Sequence, residues 1–71
     1  YKTKLQELVQ QKKNQVLTYQ LTGETGPDHD KHFEVAVDLN GTEVGRGAGR
    51  SKKRAEQEAA RIAIAHLFPG K

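Results

Sequence analysis

Cysteine is absent from the 71 residues of this chain, as are methionine and tryptophan. Without cysteine the chain can form neither a disulfide nor a thiolate metal site, which fits a reducing, intracellular setting, and we expect a cytoplasmic location. No apolar run is long enough to span a membrane and no signal-peptide pattern opens the chain, so no membrane partner is expected. The chain begins at Tyr1 instead of Met, which predicts that residues 1–71 are one small domain from a longer protein.

Residues 44–55 form a basic stretch that contains no acidic residue. The whole chain has 12 Lys and Arg against 9 Asp and Glu, a net charge of only +3. Five basic residues lie in the stretch: Arg46, Arg50, Lys52, Lys53 and Arg54. A local basic patch on a nearly balanced domain indicates a directed surface for a polyanion.

Ser51 is a favourable N-cap for a helix that begins with Lys52, Lys53 and Arg54 and runs to about Leu67. Cations in a first turn oppose the helix dipole and cost roughly 0.3–1 kcal/mol each when exposed. Together with the free N–H groups of that turn they form a receptor for an anion such as phosphate. The alternative is a solvated charge run at a helix end.

Periodicity along this helix predicts its buried stripe and its surface pairs. The stripe comprises Ala55, Ala59, Ile62, Ala63 and Leu67. Lys52 with Glu56, and Arg54 with Glu58, have the i,i+4 spacing of ion pairs.

An earlier helix is predicted over Lys2–Lys12, because Leu5, Leu8 and Val9 recur at helical spacing. Its polar face carries hydrogen-bonding side chains, namely Thr3, Gln6, Glu7 and Gln10. An ordinary solvated helix face would have the same composition.

Three strands are predicted between the helices, over Val16–Thr22, His32–Leu39 and Thr42 to about Ala48. Asn40-Gly41 is a strong hairpin signal, and Gly23–Lys31 is a turn-rich loop. The second strand alternates apolar residues with polar ones, so one face of the sheet is covered. Its apolar face is Phe33, Val35, Val37 and Leu39, and its other face is His32, Glu34, Ala36 and Asp38.

The alternating glycines at 45, 47 and 49 predict a bend, a bulge or a close backbone approach along the third strand. The element order is α-β-β-β-α. The predicted fold class is α+β, a three-stranded antiparallel sheet with both helices packed on one face.

Catalytic and metal constellations are not recognisable in the sequence. Asp28, His29, Asp30 and His32 are near one another, but without a recognised ligand spacing, and exposed loop residues are the favoured interpretation. We therefore expect no enzyme activity, no cofactor and no small-molecule substrate for this chain. The aromatic residues Tyr19 and Phe33 fall on core-facing stripes. This argues against a protein that binds single-stranded nucleic acid by stacking bases on aromatic rings, and favours recognition of a duplex through phosphate and groove contacts.

Three motifs in order resemble a double-stranded-RNA-binding domain, over nearly the whole chain. Residues 47–60 (GAGRSKKRAEQEAA) resemble the family's glycine-rich strand end with its Ser-Lys-Lys-x-Ala helix start, and residues 26–29 (GPDH) resemble its Gly-Pro-x-His loop. The opening residues 1–10 (YKTKLQELVQ) are similar to the form found in bacterial ribonuclease III, where this module follows the nuclease domain.

The resemblance implies three contact regions on an RNA duplex. The polar face of the first helix would meet one minor groove at its 2′-hydroxyls, and the loop with Pro27, Asp28 and His29 would meet the next. Lys52 and Lys53, with Ser51, would hold phosphates across the intervening major groove. Many members carry Lys at the position of Glu56, a phosphate contact for which Arg54 or Arg50 would substitute.

The resemblance also implies a parent protein, a ribonuclease III whose Mg²⁺-dependent nuclease domain lies outside this chain. Double-stranded RNA is the expected partner, the fragment is expected to be monomeric and the parent a homodimer. The alternative is a protein-interaction or dimerisation module of the same fold. Such a module would be expected to lose the lysine pair, which this chain retains.

Overall fold

Two helices flank three consecutive strands, in the order that the periodicity predicts. The computed structural model describes residues 1–11 and 14–70. The elements are α1 (Lys2–Val9), β1 (Leu17–Thr25), β2 (His32–Leu39), β3 (Thr42–Gly49) and α2 (Lys52–Leu67). The strands form one antiparallel sheet in the order β1-β2-β3. The predicted α+β class and strand order are confirmed.

The turn between β2 and β3 has the backbone conformation that Asn-Gly favours. Asn40 has φ 54° and Gly41 has φ 85°, and a type I′ turn requires positive φ at both central positions. The Asn40 side chain also ties this turn to the start of β1, because its Oδ1 accepts a hydrogen bond from the Val16 N–H at 2.9 Å. The predicted hairpin is confirmed.

Strand β1 is longer than predicted, because it continues through a bulge. The register shifts between Leu21 and Gly23, and pairing then resumes as far as Thr25 opposite His32. The intervening Thr22 donates its hydroxyl to the Glu34 carbonyl oxygen at 3.1 Å. Glycine is a poor strand former, so the sequence pattern placed the end of the strand too early. The loop therefore covers residues 26–31 instead of the predicted Gly23–Lys31.

The core lies between the sheet and the two helices. Leu5 of α1, Val37 of β2 and four alanines of α2 are fully buried, and Val9 and Val35 are nearly so. Helix α2 lies on β3 and β2, and α1 packs mainly against α2. Both helices therefore contribute to a core on one face of the sheet, as predicted.

Two glycines let α2 approach the backbone of β3 closely. A Cβ added to Gly45 would lie 2.5 Å from the Ala59 carbonyl oxygen, and one added to Gly47 would lie 2.6 Å from the Glu58 carbonyl carbon. Real side chains do not tolerate such distances to backbone atoms. The predicted close approach is therefore confirmed.

The buried stripe of α2 lacks one predicted residue and includes two others, and the predicted Leu67 is only partly buried against the core. Ile62 is only partly buried and lies outside the core cluster, whereas Ala60 and Ile64 are buried within it. The predicted stripe assumed that only the sheet covers the helix. Since α1 also packs on α2, the buried surface is wider and displaced around the helix.

On the other face of the sheet, Ala36 is buried although it was predicted to face solvent. It is 3% exposed and does not belong to the core cluster. In the register it lies between Gln20 of β1 and Arg46 of β3. The long side chains of Gln20 and Arg46 flank the small Ala36 side chain on the central strand. Ala36 is therefore buried although, in the part of the chain that the structure describes, no helix or second sheet packs on this face.

Helix α1 ends at Val9, with a final hydrogen bond from the Gln10 N–H to the Gln6 carbonyl. The helix was predicted to continue to Lys12, but Gln10 and Gln11 form a turn instead, and Lys12 itself lies outside the described residues. Within residues 1–11 and 14–70, neither helix has the length and apolar composition needed to cross a membrane.

Candidate nucleic-acid interface

The N-terminus of α2 has the predicted cap. Ser51 has the extended conformation of an N-cap residue (φ −140°, ψ 160°), and its Oγ accepts a hydrogen bond from the Arg54 N–H at 3.1 Å. No acidic residue occupies the first turn. The positive end of the helix dipole is therefore surrounded by positive side chains.

The cations at this helix start form what we call the basic cluster: Arg50, Lys52, Lys53 and Arg54. All four are exposed. Within the part of the chain that the structure describes, none of them forms an ion pair with a carboxylate. Their charges are thus available to an external anion.

The two ion pairs predicted within the cluster are wrong. Glu56 pairs with Lys2 of α1 at 2.8 Å instead of with Lys52, and Glu58 pairs with Arg61 instead of with Arg54. The i,i+4 rule treats a helix as isolated, whereas here the carboxylates find partners on another helix or further along α2. The guanidinium of Arg61 lowers the pKa of the Glu58 carboxyl.

Arg46, the fifth basic residue of the acid-free stretch, lies apart from the cluster. On the solvent face of β3 its guanidinium contacts Glu43 at 2.7 Å and Glu34 at 3.3 Å. The two carboxylates, Glu43 first, raise the pKa of Arg46. The sequence stretch therefore divides into one neutralised cation and four that are unpaired among the described residues.

The loop between β1 and β2 is shaped by Gly26 and by short-range contacts. Gly26 has φ 93°, and a Cβ there would collide with the carbonyl oxygen of Asp30. The Asp30 N–H donates to the Pro27 carbonyl at 2.9 Å, which closes a turn. Its outer residues Pro27, Asp28 and His29 are exposed.

An ion pair anchors the base of this loop. Lys31 Nζ lies 2.6 Å from Glu24 Oε1 and 3.8 Å from Asp28 Oδ1. The pKa of Glu24 is lowered, chiefly by the hydrogen bond and charge of Lys31 and to a smaller extent by the charge of Lys52. Glu24, at the end of β1 beside the loop, is therefore influenced by the charge of Lys52 in the basic cluster.

The sheet register brings the loop and the basic cluster to the same end of the molecule. Phe33, just after the loop, pairs with Gly49, which immediately precedes the cluster. A shallow depression between them is lined by loop residues 28–31, Phe33 and Arg50. Two of the three predicted contact regions are therefore adjacent.

The third region, the polar face of α1, is exposed at all four predicted positions: Thr3, Gln6, Glu7 and Gln10. Since α1 packs against α2, this face lies on the helical side of the domain. The residues that join the two helices, Lys2, Glu56 and Gln57, were not predicted from the sequence. No local signal could have done so, because the contacts link positions 54 to 56 residues apart.

The Asp and His residues near the loop do not assemble into a metal site. His32 Nε2 lies 3.7 Å from Asp30 Oδ1, both about half exposed. Among residues 1–11 and 14–70 no group of three or more potential ligands could hold a metal ion.

Comparison with known proteins assigns this arrangement to a family. Residues 1–67 match the family described as the double-stranded RNA binding motif. The chain is 60% identical over 64 residues to ribonuclease 3 of Streptococcus sanguinis, covering 90% of this chain and 28% of the relative. It is 51% identical over 67 residues to ribonuclease 3 of Listeria innocua, covering 94% and 29%, and 52% identical over 67 residues to that of Desulforamulus reducens, covering 94% and 27%. The chain thus spans less than a third of the length of these relatives.

Proposed function

The chain belongs to the double-stranded RNA binding motif family, and we propose that it binds A-form RNA by its shape, as the substrate-binding domain of a ribonuclease III. The observation that carries this proposal is the basic cluster at the capped N-terminus of α2. Four exposed cations, without carboxylate partners among the described residues, surround free backbone N–H groups at the positive end of a 16-residue helix. This is a receptor for phosphate.

The proposed contacts divide by chemistry. Lys52 and Lys53, with Ser51 and the flanking Arg50 and Arg54, bind phosphates across the major groove. Because phosphates carry no sequence information, this part of the binding is independent of sequence and sensitive to salt.

Minor-groove contacts supply the choice of RNA over DNA. Side-chain hydroxyl, amide and carboxylate groups on α1, from Thr3, Gln6, Glu7 and Gln10, can exchange hydrogen bonds with 2′-hydroxyls. The loop offers Pro27, Asp28 and His29 to a second minor groove. Modules of this kind span about 16 bp of duplex.

The proposed parent is an endoribonuclease that cleaves double-stranded RNA. Its Mg²⁺-dependent chemistry would reside in the parts of the relatives that this chain does not cover, and the domain described here would supply affinity and positioning. We further propose that the parent is a homodimer in the cytoplasm.

A binding titration tests the proposal. Fluorescence anisotropy would compare matched 20-bp RNA and DNA duplexes and single-stranded RNA at two salt concentrations. We expect a preference for duplex RNA and affinity that falls as salt rises. Equal binding to both duplexes would reduce the surface to general electrostatics and contradict the proposal.

The competing role, a protein-interaction module, makes a different prediction. We expect the isolated domain to sediment as a monomer without RNA. A stable dimer that fails to bind duplex RNA would favour the competing role.

A further inference from the structure

The first turn of α1 is capped by a side chain from the other helix. Tyr1, at the N-cap position, makes no side-chain capping bond. Instead, Gln57 Oε1 accepts hydrogen bonds from the Tyr1 backbone nitrogen at 2.7 Å and from the Lys2 N–H at 3.1 Å. Unpaired N–H groups at a helix start need such acceptors, so a residue of α2 satisfies what α1 lacks.

An ion pair joins the same two helices. Lys2 Nζ lies 2.8 Å from Glu56 Oε1, with both side chains about two-thirds buried, at 38% and 29% exposed. The same ammonium lies 4.9 Å from the centre of the Tyr19 ring on β1. Lys2 is therefore held between a carboxylate of α2 and an aromatic ring of the sheet.

Tyr19 reinforces this junction. Its hydroxyl is buried without a hydrogen-bond partner among the described residues. Burial, and secondarily the charge of Glu56, raise its pKa. The tyrosine is therefore neutral near pH 7, and its uncharged ring faces the Lys2 ammonium.

This junction lies between two of the proposed RNA-contact regions. Thr3 of the polar face of α1 follows Lys2 directly, and Glu56 lies four residues, about 6 Å along the helix axis, beyond Lys52. A duplex is a rigid partner that must meet both regions at once. Fixing their separation before binding avoids an ordering cost when the complex forms.

We propose that Glu56 and Gln57 are positioning residues, which hold α1 in register with the basic cluster so that groove and phosphate contacts form together on one duplex. This inference rests on the proposed function. Glu56 acts through Lys2, and Gln57 acts through the start of α1. Neither residue needs to contact RNA.

A purely electrostatic role for Glu56 predicts the opposite result. A carboxylate beside a phosphate receptor repels RNA, so removing it would strengthen binding and steepen the salt dependence. Positioning predicts weaker binding and an unchanged slope, because no phosphate contact is lost. The sign of the effect distinguishes the two.

The chain supplies a matched control in Glu58. Glu58→Gln removes the same charge from the same helix, but Glu58 pairs with Arg61 within α2 and not with α1. We would titrate wild type, Glu56→Gln, Gln57→Leu and Glu58→Gln against matched RNA and DNA duplexes over a range of salt. Circular dichroism would fix a temperature at which all four are folded.

We expect Glu56→Gln and Gln57→Leu each to weaken RNA binding about two- to tenfold, the range for losing one cap or ion pair. Their preference for RNA over DNA should fall, since a displaced α1 reads 2′-hydroxyls poorly. A mere loss of folded protein would lower both affinities equally. Lys2→Met should add nothing to Glu56→Gln, because the two residues act as a pair.

The outcomes separate the two proposals. If wild type prefers duplex RNA but Glu56→Gln and Gln57→Leu behave like Glu58→Gln, the positioning role is wrong and the proposed function stands. If both variants lose affinity but keep the RNA preference of wild type, the positioning role is again overturned. A wild-type chain with no preference for duplex RNA would overturn both.

Discussion

Arg46 and the basic cluster are neighbours in sequence, but their surroundings differ completely. Arg46 lies on the solvent face of β3 between two carboxylates, Glu43 and Glu34. Arg50, Lys52, Lys53 and Arg54 have no carboxylate partner among the described residues. The difference shows that the basic residues of one sequence stretch keep their charge available to an external anion only where the fold pairs the neighbouring acids elsewhere. In this domain Glu56 and Glu58 are drawn away from the cluster by Lys2 and Arg61.

The largest expected effect comes from removing the cluster's lysines. Lys52→Ala with Lys53→Ala should weaken duplex RNA binding about 10- to 100-fold near 0.15 M salt, equally for all sequences, and lower the salt slope by about 2. Arg46→Ala is the control and should change affinity less than about twofold, because its charge is already neutralised. Anisotropy titrations over several salt concentrations measure both quantities. Equal losses in the two proteins would remove the distinction between the regions.

Moving the cluster without changing its charge should also be costly. Gly47→Ala places a Cβ against the backbone of α2 and should destabilise the domain by about 1–3 kcal/mol. Urea unfolding measures this loss, with Gly41→Ala as a control whose Cβ meets no neighbouring atom within 4 Å but whose positive φ is strained. Because the start of α2 shifts relative to the loop, RNA binding at low denaturant should weaken as well. Unchanged stability would mean that the close approach is not required.

Removing the two carboxylates that neutralise Arg46 should change RNA affinity less than the added positive charge implies. Glu34→Gln with Glu43→Gln removes two negative charges, yet Arg46 faces away from the helices. We expect less than about a twofold gain in RNA affinity, arising only from screened long-range attraction. A gain as large as the loss from the lysine pair would show that total charge governs binding, and not its location.

The smallest expected effect is the response of the paired carboxylates to acid. The pKa values of Glu24 and Glu58 are lowered by Lys31 and Arg61, so their pairs stabilise the fold above the ordinary carboxyl pKa. This contribution is lost as pH falls through the lowered values. Lys31→Ala should return the pKa of Glu24 towards its ordinary value and leave Glu58 unchanged. A carboxyl NMR titration measures both, and an unmoved Glu24 would refute the assignment to Lys31.

Local chemistry made much of the fold predictable. Asn40-Gly41 admits few turns, Ser51 supplies a cap, and the alternation in β2 fixes its buried face. The errors arose where distant segments compete with local rules. Strand β1 continues past its bulge because its residues still pair with β2. Ala60 and Ile64 are buried because α1 packs on α2 in addition to the sheet.

The proposed contact residues were named from the sequence, and the structure shows that they are exposed, apart from the partly buried cap Ser51. The residues that join the helices could not be predicted from the sequence. Gln57 has no distinctive sequence context, and its role depends on the packing of α1 against α2. Ion pairs show the same limit. Lys52 and Glu56 satisfy a local spacing rule, but Lys2, 54 positions away, takes the carboxylate.

The antiparallel register also separates the two ends of this small domain. The loop and the basic cluster lie at one end of β2, and the Asn40-Gly41 turn lies at the other. This turn is about 25 Å from the loop and the start of α2 at the usual rise per residue. A Cβ at position 41 would meet no neighbouring atom within 4 Å. A dye or a surface tether attached at this turn would therefore lie far from both the loop and the basic cluster.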